Sequence, residues 1–470
     1  MIYKHTRFPW GALPSDVRVK VLDLVVSEIG HPSNGEKMAD DRFAGVATLA
    51  MVSREWRDFF EPISFHSLSI TSSELDEFEK LMGGNNRGRL NVIRNLIFRV
   101  DVKAFRSNQC FGTEGREICV ENSQIFTSAM MRLLRVLSCG ENKGPGLTLE
   151  IRAKSHLSYQ QMRHPHDKYY DLCCTPIGFQ VLSCGGRAVA LPKAPIVKGL
   201  LIRPKYFRNV GAASIGKILH ESLTAVEWLR IERWQQEDKK LEQHFYKKLH
   251  KTLFPLLPRA IERICFDIWN SDHDAKLWAP SHPESQLGQD MARLCHRLTD
   301  FCTARAAPDV LRYLAELGPK KESKLKRLSM RSPALHPDNI ETDRDQLLME
   351  ATLAVKVLPR LEVLEIWNMV KAEGYMFRYT CEGARAKLTW RTVNSLPESK
   401  GYRLPARVID EWASVAPLGF LSDLREENHV FMKSKEKPDK FWESCLPLLE
   451  PQGFVHSYPT TAPTWNRPRA

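Results

Sequence analysis

The chain is predicted to be α/β: three short helices at its N-terminus, followed by an irregular solenoid of parallel strands with helices outside them. Three observations predict this. Residues 13–60 carry apolar side chains at helical spacing, interrupted by polar stretches; a short strand-like pattern recurs beyond residue 90; and helical segments lie between its copies.

Leu13-Pro14 opens the first helix, because proline's fixed φ suits a first turn and its missing N–H would be unpaired there anyway. Ser15 and Asp16 then put a capping residue and an acidic one at the positive end of the helix dipole. Val17, Val21, Leu22 and Val25 fall on one face at helical period, with Arg18, Lys20 and Asp23 on the other. His31-Pro32-Ser33-Asn34-Gly35 breaks the helix, and the charged stretch to Asp41 reads as a solvated loop. A second helix carries Val46, Leu49, Ala50 and Val52, and a third, after Ser53, carries Trp56, Phe59 and Phe60. Helices this short cannot bury all of that apolar surface among themselves.

The spacing L-P-x-[DE]-V-x-x-x-V-L, then L-A-x-V-S-R-E-W and W-x-x-F-F-E-x-x-x-F-x-x-L, resembles the F-box family, in particular its fungal members. The resemblance implies that Leu13, Pro14, Val17, Val21, Leu22, Val25, Leu49, Val52 and Trp56 bind the adaptor subunit of an SCF ubiquitin ligase or hold the three helices together. Through the adaptor it implies a cullin scaffold as a further partner. The sequence departs from the compact motif in the roughly two dozen residues between Val25 and Leu49, a longer connection than short helices usually need. A plain helical subdomain capping a larger protein is the alternative reading of the same residues.

Beyond residue 90 the pattern apolar-x-x-apolar-x-apolar recurs as Ile93-Leu96-Phe98, Val197-Leu200-Ile202, Val226-Leu229-Ile231, Ile261-Ile264-Phe266, Leu325-Leu328-Met330 and Leu361-Leu364-Ile366. Leu149-Ile151 fits its last two positions. Alternation of that final pair puts both side chains on one face of a strand, as in a leucine-rich-repeat-like unit. Helical faces intervene: Phe126, Met130, Leu133, Leu134 and Leu137; Met291, Leu294, Cys295, Leu298, Phe301 and Cys302; Leu347, Ala351, Ala354, Val355 and Leu358. The anchors at 96, 149, 200, 229, 264, 328 and 364 lie 53, 51, 29, 35, 64 and 36 residues apart, against about 20–29 for a regular repeat, so the units are decorated. A doubly wound sheet alternates strand and helix equally well. No Gly-rich loop follows any of these strands, and a solenoid behind an F-box is a known arrangement; both favour the solenoid.

From Leu358 onward, Tyr375, Phe377 and Tyr379 alternate, Glu382-Gly383 turns, and Leu388 and Trp390 alternate again, which is a β-hairpin pattern. Val408, Trp412 and Val415 share a face of a helix begun near Pro405. This series resembles a C-terminal region of uncharacterised function in fungal F-box proteins. The division expected is an F-box over 8–68, an irregular leucine-rich-repeat-like solenoid over 69–358, a strand, hairpin and helix region completing it over 359–450, and a poorly ordered tail over 451–470.

Composition fits a soluble globular protein, with 43% hydrophobic and 26% charged residues. No run of about 18 apolar residues is present, and MIYKHTRFPWG lacks a signal-peptide core. No membrane association is expected, and the compartment expected is the cytoplasm, the nucleus or both. Eleven cysteines at irregular spacing argue for reduced thiols over a disulfide framework.

The sequence holds no G-x-S-x-G, P-loop, H-E-x-x-H or C-x-x-C motif, so hydrolase, NTPase and zinc readings lose their usual support. No catalytic residue, cofactor or metal is expected. His164, His166, Asp167, Cys173 and Cys174 offer mixed N/S donors, but a decorated loop with buried thiols explains them as well. Residues 151–210 carry ten Lys and Arg against two Asp, interleaved with Tyr159, Tyr169, Tyr170, Phe179, Tyr206 and Phe207. Such a segment suits phosphate neutralisation and base stacking, an acidic protein partner, or a solvated surface alone. Two functions are therefore carried forward: a non-catalytic SCF substrate receptor holding an unknown protein target, and a basic nucleic-acid-associated interaction protein.

Overall fold

The structure is a computed structural model that describes residues 10–30, 48–103, 116–141, 144–155, 176–179, 183–184, 187–203, 208–234, 239–269, 284–304, 306–336, 340–370, 373–383, 385–394, 404–415 and 421–430. The His164 to Cys174 cluster, the stretch from His31 to Asp41 expected as a loop, Val46 of the expected second helix and residues 451–470 expected as a tail lie outside them.

One twelve-stranded sheet organises the chain. Its strands are β1 (Ser67–Thr71), β2 (Asn95–Val102), β3 (Leu147–Ser155), β6 (Val197–Ile202), β7 (Trp228–Trp234), β8 (Arg263–Trp269), β9 (Asp300–Thr303), β10 (Arg327–Arg331), β11 (Val363–Val370), β12 (Glu373–Glu382), β13 (Arg385–Asn394) and β14 (Leu421–Val430), in that spatial order. β4 (Ser183–Cys184) and β5 (Arg187–Ala188) form a separate small hairpin. Every neighbouring pair from β1 to β11 is parallel; β11, β12 and β13 are antiparallel, and β14 runs parallel to β13. Spatial order follows chain order without reversal. A doubly wound sheet requires a reversal, its topological switch point, so strand order separates the two readings that periodicity left open.

The helices are α1 (Ser15–Gly30), α2 (Arg54–Phe65), α3 (Leu75–Met82), α4 (Arg116–Leu137), α5 (Ala212–Lys217), α6 (Lys239–Lys248), α7 (Glu284–Cys295), α8 (Ala307–Leu317), α9 (Glu341–Val357) and α10 (Ala406–Val415). From α3 onward they share a continuous apolar core with the sheet, running from Leu75 to Trp412. Its spine is a lateral ladder. Leu68, Leu96, Leu149, Leu200, Leu229, Ile264, Phe301, Leu328, Leu364, Tyr379 and Leu388 are successive cross-strand partners. All but Leu68 are buried, and each such side chain contributes about 1.5–3 kcal/mol by leaving water. A second rung two residues on, from Ile70 and Phe98 through Ile231 and Phe266 to Phe377 and Trp390, lies on the same face.

Helices meet that face. Arg233 of β7 forms a bidentate pair with Glu242 of α6 at 2.8 and 2.7 Å and lies 3.8 Å from the Phe245 ring. Trp412 of α10 packs on Phe377 and Tyr379, both at 5.1 Å between ring centroids. The C-terminal hairpin is as its alternation predicts, with Gly383 at φ +61° in the turn.

Two strands escape the pattern as applied to the sequence. The helical face assigned to Met291 through Cys302 is corrected: α7 ends at Cys295, and Phe301 and Cys302 belong to β9. Thr303 takes the last apolar place of the unit there, donating from Oγ1 to Met291 Sδ at 3.8 Å, so the repeat was disguised by one polar residue. The 64-residue gap between anchors 264 and 328 thereby splits at Phe301. β1 likewise fits the pattern as Phe65-Leu68-Ile70, at the end of the segment read as the N-terminal helical unit.

Candidate functional site

Two surfaces stand out: the outward side of the N-terminal helices and the face of the sheet opposite the helices. The N-terminal unit has its own small core, Leu22, Ala50 and Phe60, with Trp10, Val25, Val26, Leu49, Trp56, Phe59 and Ile63 packed around it. Pro14 stands one residue ahead of α1, its carbonyl accepting the first helical bond from Arg18 N at 3.0 Å, so Ser15, expected as the cap, is instead the first helical residue. Ser53 caps α2, its Oγ accepting from Trp56 N at 3.3 Å. Glu55 Oε2 accepts from Trp10 Nε1 at 2.8 Å and from Arg18 Nη1 at 3.1 Å, tying both ends of the unit together.

α1 carries two apolar stripes rather than one. Leu22, Val25 and Val26 turn inward, whereas Val17 and Leu24 face outward beside half-buried Val21. The nine residues singled out from the sequence therefore divide. Leu22 is buried, Val25, Leu49 and Trp56 pack around it, Leu13 and Val21 are half-buried, and Pro14, Val17 and Val52 are exposed. Leu24, Met51 and Val52 are 64%, 77% and 61% exposed. Leu24 and Met51 were missed; Val17, Val21 and Leu24 at i, i+4 and i+7 carried the signal, hidden by reading α1 as having a single face. The unit is pinned to the sheet. Arg89 donates to Glu61 of α2 at 2.6 and 3.3 Å and lies 5.4 Å from the Phe65 ring, and His66 O accepts from Arg94 N and Asn95 N at the start of β2.

The sheet's other face alternates with the apolar ladder, and it is ionic. Its middle row runs Glu150, Leu201, Arg230, Cys265, Cys302, Ser329, Glu365, Arg378 and Thr389. Glu150 and Glu365 are wholly inaccessible to solvent, so each needs a cation beside it. Glu150 pairs with Arg152, and Glu365 with Arg378 at 2.7 Å. Glu232 holds Arg230 at 2.6 Å and Arg203 at 3.5 Å, and Asp300 pairs with Arg327. Trp228 lies over Gly199, its cross-strand partner; a Cβ there would fall 2.2 Å from the indole ring.

Burial acts against the charge on Arg230, but Glu232 foremost, with Cys265 and Asp267, more than offsets it and raises the guanidinium pKa further. Cys265 and Cys302 are cross-strand partners. The Cys302 thiol is pushed well up by its hydrogen bond to Cys265 and by burial, which leaves it protonated and poorly nucleophilic. Cys295, two helical turns from Cys302 in the sequence reading, lies instead in the helix-side core, where burial also raises its pKa. Among the described residues none of the six cysteines forms a disulfide, no group of three His, Cys, Asp or Glu side chains is placed to hold a metal ion, and no helix is long and apolar enough to cross a membrane.

Residues 252–444 match a family of unknown function, DUF6546. That is less than half of the chain, and it spans the sheet from the approach to β8 through β14. No curated protein matches. Among solved structures, the leucine-rich repeat-containing protein LegL7 from Legionella pneumophila is similar at 10% identity and a TM-score of 0.28, covering 66% of this chain and 87% of its own. A likeness that loose adds nothing to the strand order already described.

Proposed function

We propose that this chain is a substrate receptor of an SCF-type ubiquitin ligase, acting in the cytoplasm or nucleus. Its N-terminal helices dock on the adaptor and through it on the cullin scaffold, and the repeat sheet holds a protein target. The observation that carries this reading is the exposure of four apolar side chains in the N-terminal segment, Val17 and Leu24 on one face of α1 and Met51 and Val52 just before α2. Exposed large apolar side chains that cluster in one region are a feature of interaction sites, and here they fall in the segment whose sequence resembles an F-box. The Arg89 to Glu61 link would hold docked adaptor and sheet in a defined relation. Catalysis then belongs to other subunits, and this chain supplies proximity by raising the effective concentration of target lysines.

Capture of the purified adaptor by the full-length chain tests the proposal. Val17→Asp with Leu24→Asp is expected to abolish capture while leaving the unfolding free energy within about 0.5 kcal/mol of the parent per substitution, as for exposed substitutions in general. Absence of capture by the parent chain would overturn it. The basic character of residues 151–210 supports the second reading, a nucleic-acid-associated interaction protein, for which a gel-shift titration at low salt is the direct test.

A further inference from the structure

Arg99, Arg152 and Arg203 stand at one level of the ionic face on three neighbouring strands. Arg99 and Arg152 are direct cross-strand partners, and Arg203 follows Ile202, whose partner Ile151 precedes Arg152. Lys154 lies two residues further along β3, on the same side. Strand spacing of about 4.8 Å places the three arginine positions within about 10 Å. Like charges set directly opposite one another weaken a ladder, and a sequence tolerates such a conflict mainly where function repays it.

Each arginine of the rung has one carboxylate beside it, which holds its guanidinium in place. Glu150 and Glu232 are sunk into the face beside Arg152 and Arg203, and Asp101 pairs with Arg99 at 3.3 Å, while all three arginines remain partly open to solvent.

We infer that this arginine rung binds an extended peptide segment of a protein partner that carries clustered negative charge, either carboxylate or phosphoryl. In an extended chain, side chains at i and i+2 project to the same side about 6.7 Å apart, so two acidic groups fit within the rung. One strand further, the same row turns acidic where Glu232 faces Asp267. A continuous polyanion laid across the sheet would meet those carboxylates, whereas a peptide can place its acids over the rung and neutral residues beyond it. The inference rests on reading the sheet as the target-holding part of the chain and is independent of adaptor docking.

The test is binding of the full-length chain to an array of extended peptides bearing paired glutamates or paired phosphoserines at alternating positions. The same array with glutamine in their place, and single-stranded DNA of equal charge, are run beside it. Acidic peptides are expected to bind and glutamine peptides not. Lys154→Gln with Arg203→Gln should weaken acidic-peptide binding about ten-fold or more, the loss of charge-assisted hydrogen bonds, with an unchanged circular dichroism melt; exposed Lys193→Gln should leave it intact. Equal binding of both peptide arrays, unchanged affinity in the double variant, or binding of DNA in preference to every peptide would overturn the inference. A chain that binds acidic peptides but captures no adaptor sinks the ligase reading alone, and the reverse outcome sinks this inference alone.

Discussion

The N-terminal helices and the repeat sheet handle apolar surface in opposite ways. Among the described residues of the first, Leu22, Ala50 and Phe60 are the buried apolar ones, and Leu24, Met51 and Val52 are exposed. The second buries an apolar ladder on one side of its strands and, on the other, a row of mutually paired ionic groups that is itself largely buried. Each repeat borrows its neighbours to complete its core, so stability accumulates along the array. Among the described residues, α1 and α2 are joined to the array at their C-terminal side, through Arg89 and His66, and the apolar surface they leave exposed is the argument for a partner.

This contrast breaks most directly at the ladder. Phe301→Ala removes a buried ring between Ile264 and Leu328 and is expected to cost about 3–5 kcal/mol, read as a lower urea midpoint for the whole sheet. Glu242→Ala leaves Arg233 buried without its bidentate partner and is expected to cost about as much, roughly 3–5 kcal/mol, with Arg233→Met/Glu242→Leu recovering most of the loss. A double variant no more stable than the single would show that the pair does more than satisfy itself.

Phe60→Ala sharpens the comparison from the other side. It should speed hydrogen exchange throughout 15–30 and 54–65 while moving the main urea transition by less than about 1 kcal/mol, because a small separate core opens locally. An equal shift of the main transition would mean that the two regions are one cooperative unit. Ser53→Ala removes the cap of α2 and should cost about 1 kcal/mol, again confined to the N-terminal exchange rates.

The smallest effect expected is a pH effect on the sheet side. Burial, and then Lys320, lowers the His296 pKa, so the folded state favours neutral imidazole and the unfolded chain takes up the proton more readily. Stability from this group is present above the usual value of about 6.5 and is lost as pH falls through that range toward the folded value. Urea midpoints at pH 7 and pH 5 should therefore converge slightly in His296→Leu.

Much of this was legible in order along the chain. The units anchored at Leu96, Leu200, Leu229, Ile264, Leu328 and Leu364, the hairpin around Gly383 and the helix of Val408 and Trp412 all follow from local periodicity, because a side chain's face is set within a few residues of itself. β9 was missed where Thr303 replaced an apolar residue, and β1 where the repeat began inside a segment already given another reading. In α1, one apolar stripe was read where two exist, since periodicity shows which residues share a face but not which face meets the core.

By itself, then, the sequence determined an α/β chain of strand and helix units behind an N-terminal helical segment that resembles an F-box. The tertiary structure alone decided the unreversed order of the strands, the pairing of Glu365 with Arg378, and the rung that joins Arg99, Arg152 and Arg203 from positions about fifty residues apart. Register across strands is fixed by packing of the whole ladder at once, and no local window contains it.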